Sequence, residues 1–160
     1  MIEVRELTDH EIDELLARVG YGHLACSRDS VPYVVPVQYA WDGRAVFLYT
    51  TEGRKSDTIA ENPNVCLQVE DVEDNRHWCS VIVEGVAERL DAGDERAMAL
   101  KMIMKTNPTL TPAISIHWLD DWVKQNVEVV YRIKPTYTSG RASVPGRDAE
   151  PFARKPKRPL

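Results

Sequence analysis

Two cations stand side by side where a helix ought to begin with carboxylates. Glu52-Gly53-Arg54-Lys55-Ser56-Asp57-Thr58 follows an apolar, β-rich run over 45–51 and opens a short helix that Asn62-Pro63 closes. The first amides of a helix are unpaired and carry partial positive charge, so Arg54 and Lys55 are out of place unless an anion accompanies them. A phosphate would accept from those amides and from a forked guanidinium together. The alternative is a pair of solvated surface cations. Gly53 supplies the backbone freedom that a strand-to-helix corner needs.

Other reactive residue types are scattered. Cys26, Cys66 and Cys79 lie on apolar segments with no C-x-x-C, which reads as buried free thiols in a reducing cytoplasm. His10, His23, His77 and His117 show no paired metal spacing, so no metal site is expected. The chain has 160 residues, 28% charged and 43% hydrophobic, as in one soluble globular domain. A net charge of -5 argues against general binding to nucleic acid or anionic membranes. No apolar run approaches a membrane span and no signal-peptide pattern opens the chain, so a cytoplasmic protein is expected.

The elements that must position Arg54 and Lys55 are mostly strands. Thr8-Asp9-His10-Glu11 is a capping box, and Ile12, Leu15, Leu16 and Val19 follow at helical spacing up to Gly20. From Gly22 the period becomes two. Residues 23–27 read as a strand, 28–30 as a turn, and 33–41 as a second strand. Pro36 in that strand cannot donate to a neighbour. It marks an edge, a bulge, or a place where a flat ligand rather than a strand lies alongside. Asp42-Gly43 reads as a two-residue hairpin turn into a strand over 45–51.

After the short helix, residues 65–70 alternate as a strand, 71–77 form a polar connection, and 78–90 give the longest strand, with Gly85 at a bend or bulge. Residues 94–105 form a helix with Ala97, Leu100, Ile103 and Met104 as its buried stripe. The aromatic segment holding Ile114, His117, Trp118 and Trp122 is core, dimer contact or lid. Val127, Val129, Tyr131 and Ile133 make the last strand, and a flexible basic tail is expected over 139–160 after a domain over 1–138. About six strands at short spacing, without a G-x-G-x-x-G, point to a mainly β, small antiparallel barrel with flanking helices.

Residues 47–63 (Phe47-Leu48-Tyr49-Thr50-Thr51 through Arg54-Lys55 to Asn62-Pro63) resemble the signature of the pyridoxamine-phosphate-oxidase-like, FMN-binding split-barrel superfamily. Ser80-Val81-Ile82-Val83-Glu84-Gly85 is similar to its later valine-rich strand, and Gly22-His23-Leu24-Ala25 leading to Pro32-Tyr33-Val34-Val35-Pro36-Val37 to its early hairpin. The closest likeness is to the small branch that includes the nitroimidazole-resistance proteins.

The resemblance implies an antiparallel split β-barrel, working as a homodimer with FMN at the subunit interface. Carried over by position, Arg54 and Lys55 bind the phosphate, Tyr49 and Thr50 line the site, Val35, Pro36 and Val37 run along the isoalloxazine edge, and Ser80 faces the flavin. Some relatives bind a deazaflavin or haem instead. Tyr49 stands where the nitroimidazole-resistance group tends to have histidine, and the Arg-x-His pattern of the pyridoxamine phosphate oxidases is absent, so pyridoxal phosphate synthesis is not expected. The implied reaction is hydride or electron-pair transfer between a reduced nicotinamide and a small acceptor, with Tyr49 or His117 as candidate proton sources. The competing reading is a non-catalytic protein that stores or senses a flavin, deazaflavin or haem.

Overall fold

Thr8 starts the first helix as its residues require. In the computed structural model, which describes residues 3–107 and 127–144, its hydroxyl accepts from the Glu11 amide and the Glu11 carboxylate accepts from the Thr8 amide at 2.9 Å. The Arg5 guanidinium and the Thr8 amide together hold the Glu11 carboxyl down to about 2. This helix, α1 (Asp9–Val19), ends at Gly20 in the left-handed conformation (φ 70) and buries Ile12, Leu15 and Leu16.

Seven strands form one antiparallel sheet: β1 (Glu3–Glu6), β2 (Tyr21–Arg28), β3 (Val31–Trp41), β4 (Val46–Thr51), β5 (Asn64–Asp74), β6 (His77–Arg89) and β7 (Glu128–Val144). Their order is β1-β7-β4-β3-β2-β5-β6, and β6 also pairs with β7, which closes the inner six into a barrel. The mainly β, antiparallel barrel with flanking helices is therefore the fold. Leu24, Leu67, Val69, Val81, Val83 and Ile133 fill its interior, all fully buried. The Tyr39 hydroxyl donates to the Leu16 carbonyl at 2.7 Å and the Trp41 indole to Asp13 at 2.7 Å, fastening α1 to β3.

Several boundaries differ from the sequence reading. β1 adds a seventh strand. The connection after Asp42 has four residues instead of two, because the Asp42 carboxylate accepts from both the Arg44 and Ala45 amides at 2.7 Å and β4 starts at Val46. The polar stretch 71–77 is mostly strand. Asp74 accepts from the Arg76 and His77 amides, which makes a tight turn and lets β5 and β6 run to it on either side.

β7, not β6, is the longest strand. It continues past Pro135 because the sheet has a bulge there, opposite Glu84 and Gly85, where the missing proline N–H is harmless. A Cβ on Gly85 would stand 2.5 Å from the Lys134 carbonyl oxygen, which explains the glycine. Beyond the bulge β7 pairs with β6 and then β1, so residues 139–144, assigned to the tail by composition, belong to the sheet. Residues 145–160 and the aromatic segment from 108 to 126 lie outside the described residues.

The third helix, α3 (Asp94–Thr106), covers the outside of the barrel against Ala40, Phe47, Tyr49 and Val130. It buries Ala99 and Ile103, with Leu100 and Met102 partly covered, while Ala97 and Met104 are exposed. The expected stripe was out of phase because apolar residues occupy nearly every side of this helix.

Candidate functional site

β4 leaves β3 after only three paired residues. Tyr39, Ala40 and Trp41 of β3 face Leu48, Phe47 and Val46, and then β4 turns to β7, where Thr51 lies opposite Glu128. Residues 31–38 of β3 pair with β2 on one side. Among the described residues no strand pairs with them on the other. The Tyr39 amide donates toward β2, to the Gly20 carbonyl at 3.0 Å, and strand geometry then turns the amide positions of Gln38, Pro36 and Val34 to the uncovered edge. Pro36 is an edge-strand proline. Val37 is buried and Val35 packs against the core, so backbone is what these residues present at this edge.

The corner after β4 reaches this half of β3 through Arg54, whose guanidinium lies over the Tyr33 ring. Gly53 has φ 155 and ψ −165, a region that is essentially glycine-only. The Ser56 hydroxyl accepts from the Gly53 amide and donates to its carbonyl, both at 2.8 Å, which braces the start of α2 (Arg54–Glu61). At the other end the Asn62 amide donates to the Thr58 carbonyl at 2.9 Å and the Asn62 side chain to the Ser27 carbonyl at 2.9 Å, so helix and β2 hold each other.

Lys55 is half-buried and donates to the Thr50 hydroxyl. Arg54 lies with its guanidinium carbon 4.3 Å from the Tyr33 ring centroid. Neither cation makes an ion pair with a carboxylate among the described residues. Burial pulls the Lys55 ammonium below its ordinary value, with only the nearby Cys26 sulfur acting the other way. The buried Cys26 thiol is pushed up by burial, against the charges of Lys55 and Arg54. A half-buried ammonium without a counterion, beside the bare end of a helix, suits a phosphate ester.

The structure thus brings Thr50 and Lys55 together and sets Arg54 on Tyr33 of β3, while Val35, Pro36 and Val37 lie further along the same unpaired half of that strand. Tyr49 points to the opposite face of β4, among Ala99, Ile103 and Val130, where burial and then the Glu128 carboxylate push its phenol up to about 12. Ser80 lies on the outer face of β6. It accepts from Gln68 at 3.3 Å, and Gln68 also reaches His23, the residue opposite Pro36. The sequence reading placed Tyr33 on a strand and Cys26 among the buried thiols, and neither of them in the site. Both fall on inward-facing strand positions, and only the folded corner shows that these meet Arg54 and Lys55.

Behind Arg54 opens a cavity of about 500 Å³ between α2 and the β2–β3 turn, bordered by Arg28, Asp29, Tyr33, Arg54 and Asp57.

The family model for pyridoxamine 5'-phosphate oxidase matches residues 8–142. The chain belongs to the pyridoxamine 5'-phosphate oxidase family. A solved member of similar build is a FAD-binding protein from Mesorhizobium loti, 28% identical, with a TM-score of 0.73 over 91% of this chain and 100% of that one. A FAD-binding protein from Mycobacterium smegmatis is 26% identical, with a TM-score of 0.62 over 87% of this chain and 98% of that one. An uncharacterised protein of Rhizobium meliloti (strain 1021) is 37% identical over 89 residues, and the match spans 56% of this chain and 59% of that relative's length. The family match takes in the whole Arg54–Lys55 corner and β3's uncovered edge.

Proposed function

We propose that this chain binds a flavin phosphate, with FMN as the unit recognised, and acts as an oxidoreductase between a reduced nicotinamide and a small acceptor. The observation that carries the reading is the pair Arg54 and Lys55, without carboxylate partners among the described residues, Arg54 resting on Tyr33 of β3 and Lys55 on Thr50 of β4. The two FAD-binding relatives support a cofactor of flavin type. When bound, a flavin supplies the redox chemistry, and the protein contributes placement and electrostatics.

In this reading Lys55, held by Thr50, and Arg54, held on Tyr33, receive the phosphate together with the first amides of α2. The strand edge at Pro36 offers a flat backbone surface for the ring system. A Pro36 N–H is not there to be left unsatisfied when the ring covers it.

The working unit we propose is a homodimer. The outer face of the barrel carries Val34, Ala25, Cys66, Glu84 and Tyr137 along one rung of paired residues, with Val34 58% and Tyr137 60% exposed. Apolar exposure on a fully paired strand surface suits burial against a second copy. Ser80 shares this face, so its place near a flavin depends on that assembly. A cytoplasmic setting fits the free thiols, and no helix among the described residues is long and apolar enough to cross a membrane.

The absorbance spectrum of the purified protein, before and after adding FMN, tests the reading. The expected result is an oxidised-flavin spectrum that bleaches anaerobically with NADH or NADPH. A bound flavin that neither donor reduces makes the protein a binder, and no flavin spectrum under either condition removes the proposal.

A further inference from the structure

Among the described residues Arg54 and Lys55 have no carboxylate partner, although a carboxylate stands just ahead of them in the chain. Glu52 lies two residues before Arg54 and three before Lys55. Its amide donates to the Val127 carbonyl at 2.9 Å, which carries the β4–β7 pairing one residue past Thr51. Side chains alternate along a strand, so Glu52 starts on the same side as Thr50, whose hydroxyl holds the Lys55 ammonium, roughly 7 Å along. A half-buried ammonium, an unpaired guanidinium and the bare amides of α2 would all attract a carboxylate placed there.

Glu52 is bound instead by Arg89, whose Nη2 lies 3.0 Å from Glu52 Oε1 while its Nε lies 2.7 Å from Asp91. Arg89 is the last residue of β6 and stands opposite Tyr131 of β7. The next amide, of Leu90, donates to the Val130 carbonyl at 2.8 Å and fixes the backbone there. A guanidinium anchored by paired strand and by Asp91 thus reaches past the start of β7 and pins Glu52. We propose that Arg89 is a positioning residue for the phosphate site: it holds the Glu52 carboxylate off Lys55 and Arg54, and so keeps both charges free for a ligand. The proposal rests on the flavin-phosphate reading above and deepens it. Without Arg89, Glu52 becomes the counterion of the two cations, and an incoming phosphate must displace it.

Titration of the flavin-stripped full chain with FMN and with riboflavin, followed by flavin fluorescence, tests it. Arg89→Gln is expected to weaken FMN about two- to fivefold, the effect of one partly exposed ion pair, and to leave riboflavin, which has no phosphate, unchanged. Arg89→Gln/Glu52→Gln is expected to return FMN affinity to within about twofold of wild type, because the competing carboxylate is gone. Arg89→Lys keeps a cation beside Glu52 and is expected to bind FMN as the wild type does. Both side chains are exposed, and circular dichroism of each variant verifies its fold. Three results overturn the proposal alone: an Arg89→Gln variant with wild-type FMN affinity, an equal loss for riboflavin, or a double variant that stays weak, which would assign the effect to the charge of Arg89 itself. Failure of the wild-type chain to bind FMN removes the underlying reading with it.

Discussion

Arg54 lays its guanidinium over the Tyr33 ring, 4.3 Å from its centroid, and so joins the start of α2 to the uncovered half of β3. Arginine prefers aromatic faces because the ring's negative π surface attracts a weakly hydrated planar cation. The contact holds an otherwise unpaired side chain at the place where an anion is proposed to bind. Tyr33→Leu keeps the strand but loses that hold. Its FMN affinity, measured by fluorescence titration, is expected to fall about two- to fivefold, since an exposed cation–π contact contributes about 0.5–1 kcal/mol. Unchanged affinity would make the contact incidental.

Lys55 gives the corner a pH dependence of definite sign. Its folded pKa lies below 10.5 because of burial, whereas the unfolded side chain has its ordinary value. Between those two values the unfolded chain holds more protons, so the ligand-free protein gains stability from this group as pH rises through the window. Phosphate binding favours the charged ammonium and works in the opposite direction. FMN affinity is therefore expected to decline as pH rises through the folded Lys55 pKa, beginning below 10.5. Lys55→Arg, whose charge persists, should move that decline to higher pH. Titrations across the alkaline range read both effects, and identical profiles for the two proteins would contradict the assignment.

Gly85 tests the barrel's closure independently of any ligand. The added methyl of Gly85→Ala would meet the Lys134 carbonyl oxygen at 2.5 Å and Ile133 Cγ2 at 2.8 Å, and a paired backbone cannot yield as a side-chain tip can. Thermal or urea unfolding is expected to show a loss of about 1–3 kcal/mol, the usual range for forcing a group into a packed interior. A neutral substitution would mean that the β6–β7 pairing is looser than described.

Much of this was legible from residues. Thr8 with Glu11, the alternation from Tyr33 to Trp41, and Asn62-Pro63 each carry a local physical signal, and each has its expected role in the structure. Gly85 likewise marks the β6–β7 bulge. What was not legible depends on partners distant in sequence. Residues 139–144 look like tail by composition, and become strand only because β6 and β1 flank them. The α3 stripe could not be phased from residues apolar on several sides. Arg54 and Lys55 were found from charge placed against a helix end and Thr50 only from the family resemblance, whereas Tyr33 and Asp57 come beside Arg54 only when the β2–β3 turn folds against α2.

The central claim is that Arg54 and Lys55 recognise a phosphate. Dissociation constants for FMN and for riboflavin, which lacks that group, test it most directly when measured on the wild-type chain and on Arg54→Ala/Lys55→Ala. The account predicts that wild-type protein prefers FMN by at least about tenfold, as a charge-assisted hydrogen bond contributing about 1.5–3 kcal/mol requires, and that the double variant binds both ligands equally. Equal affinities in the wild-type chain, or a preference for FMN that survives in the variant, would contradict it.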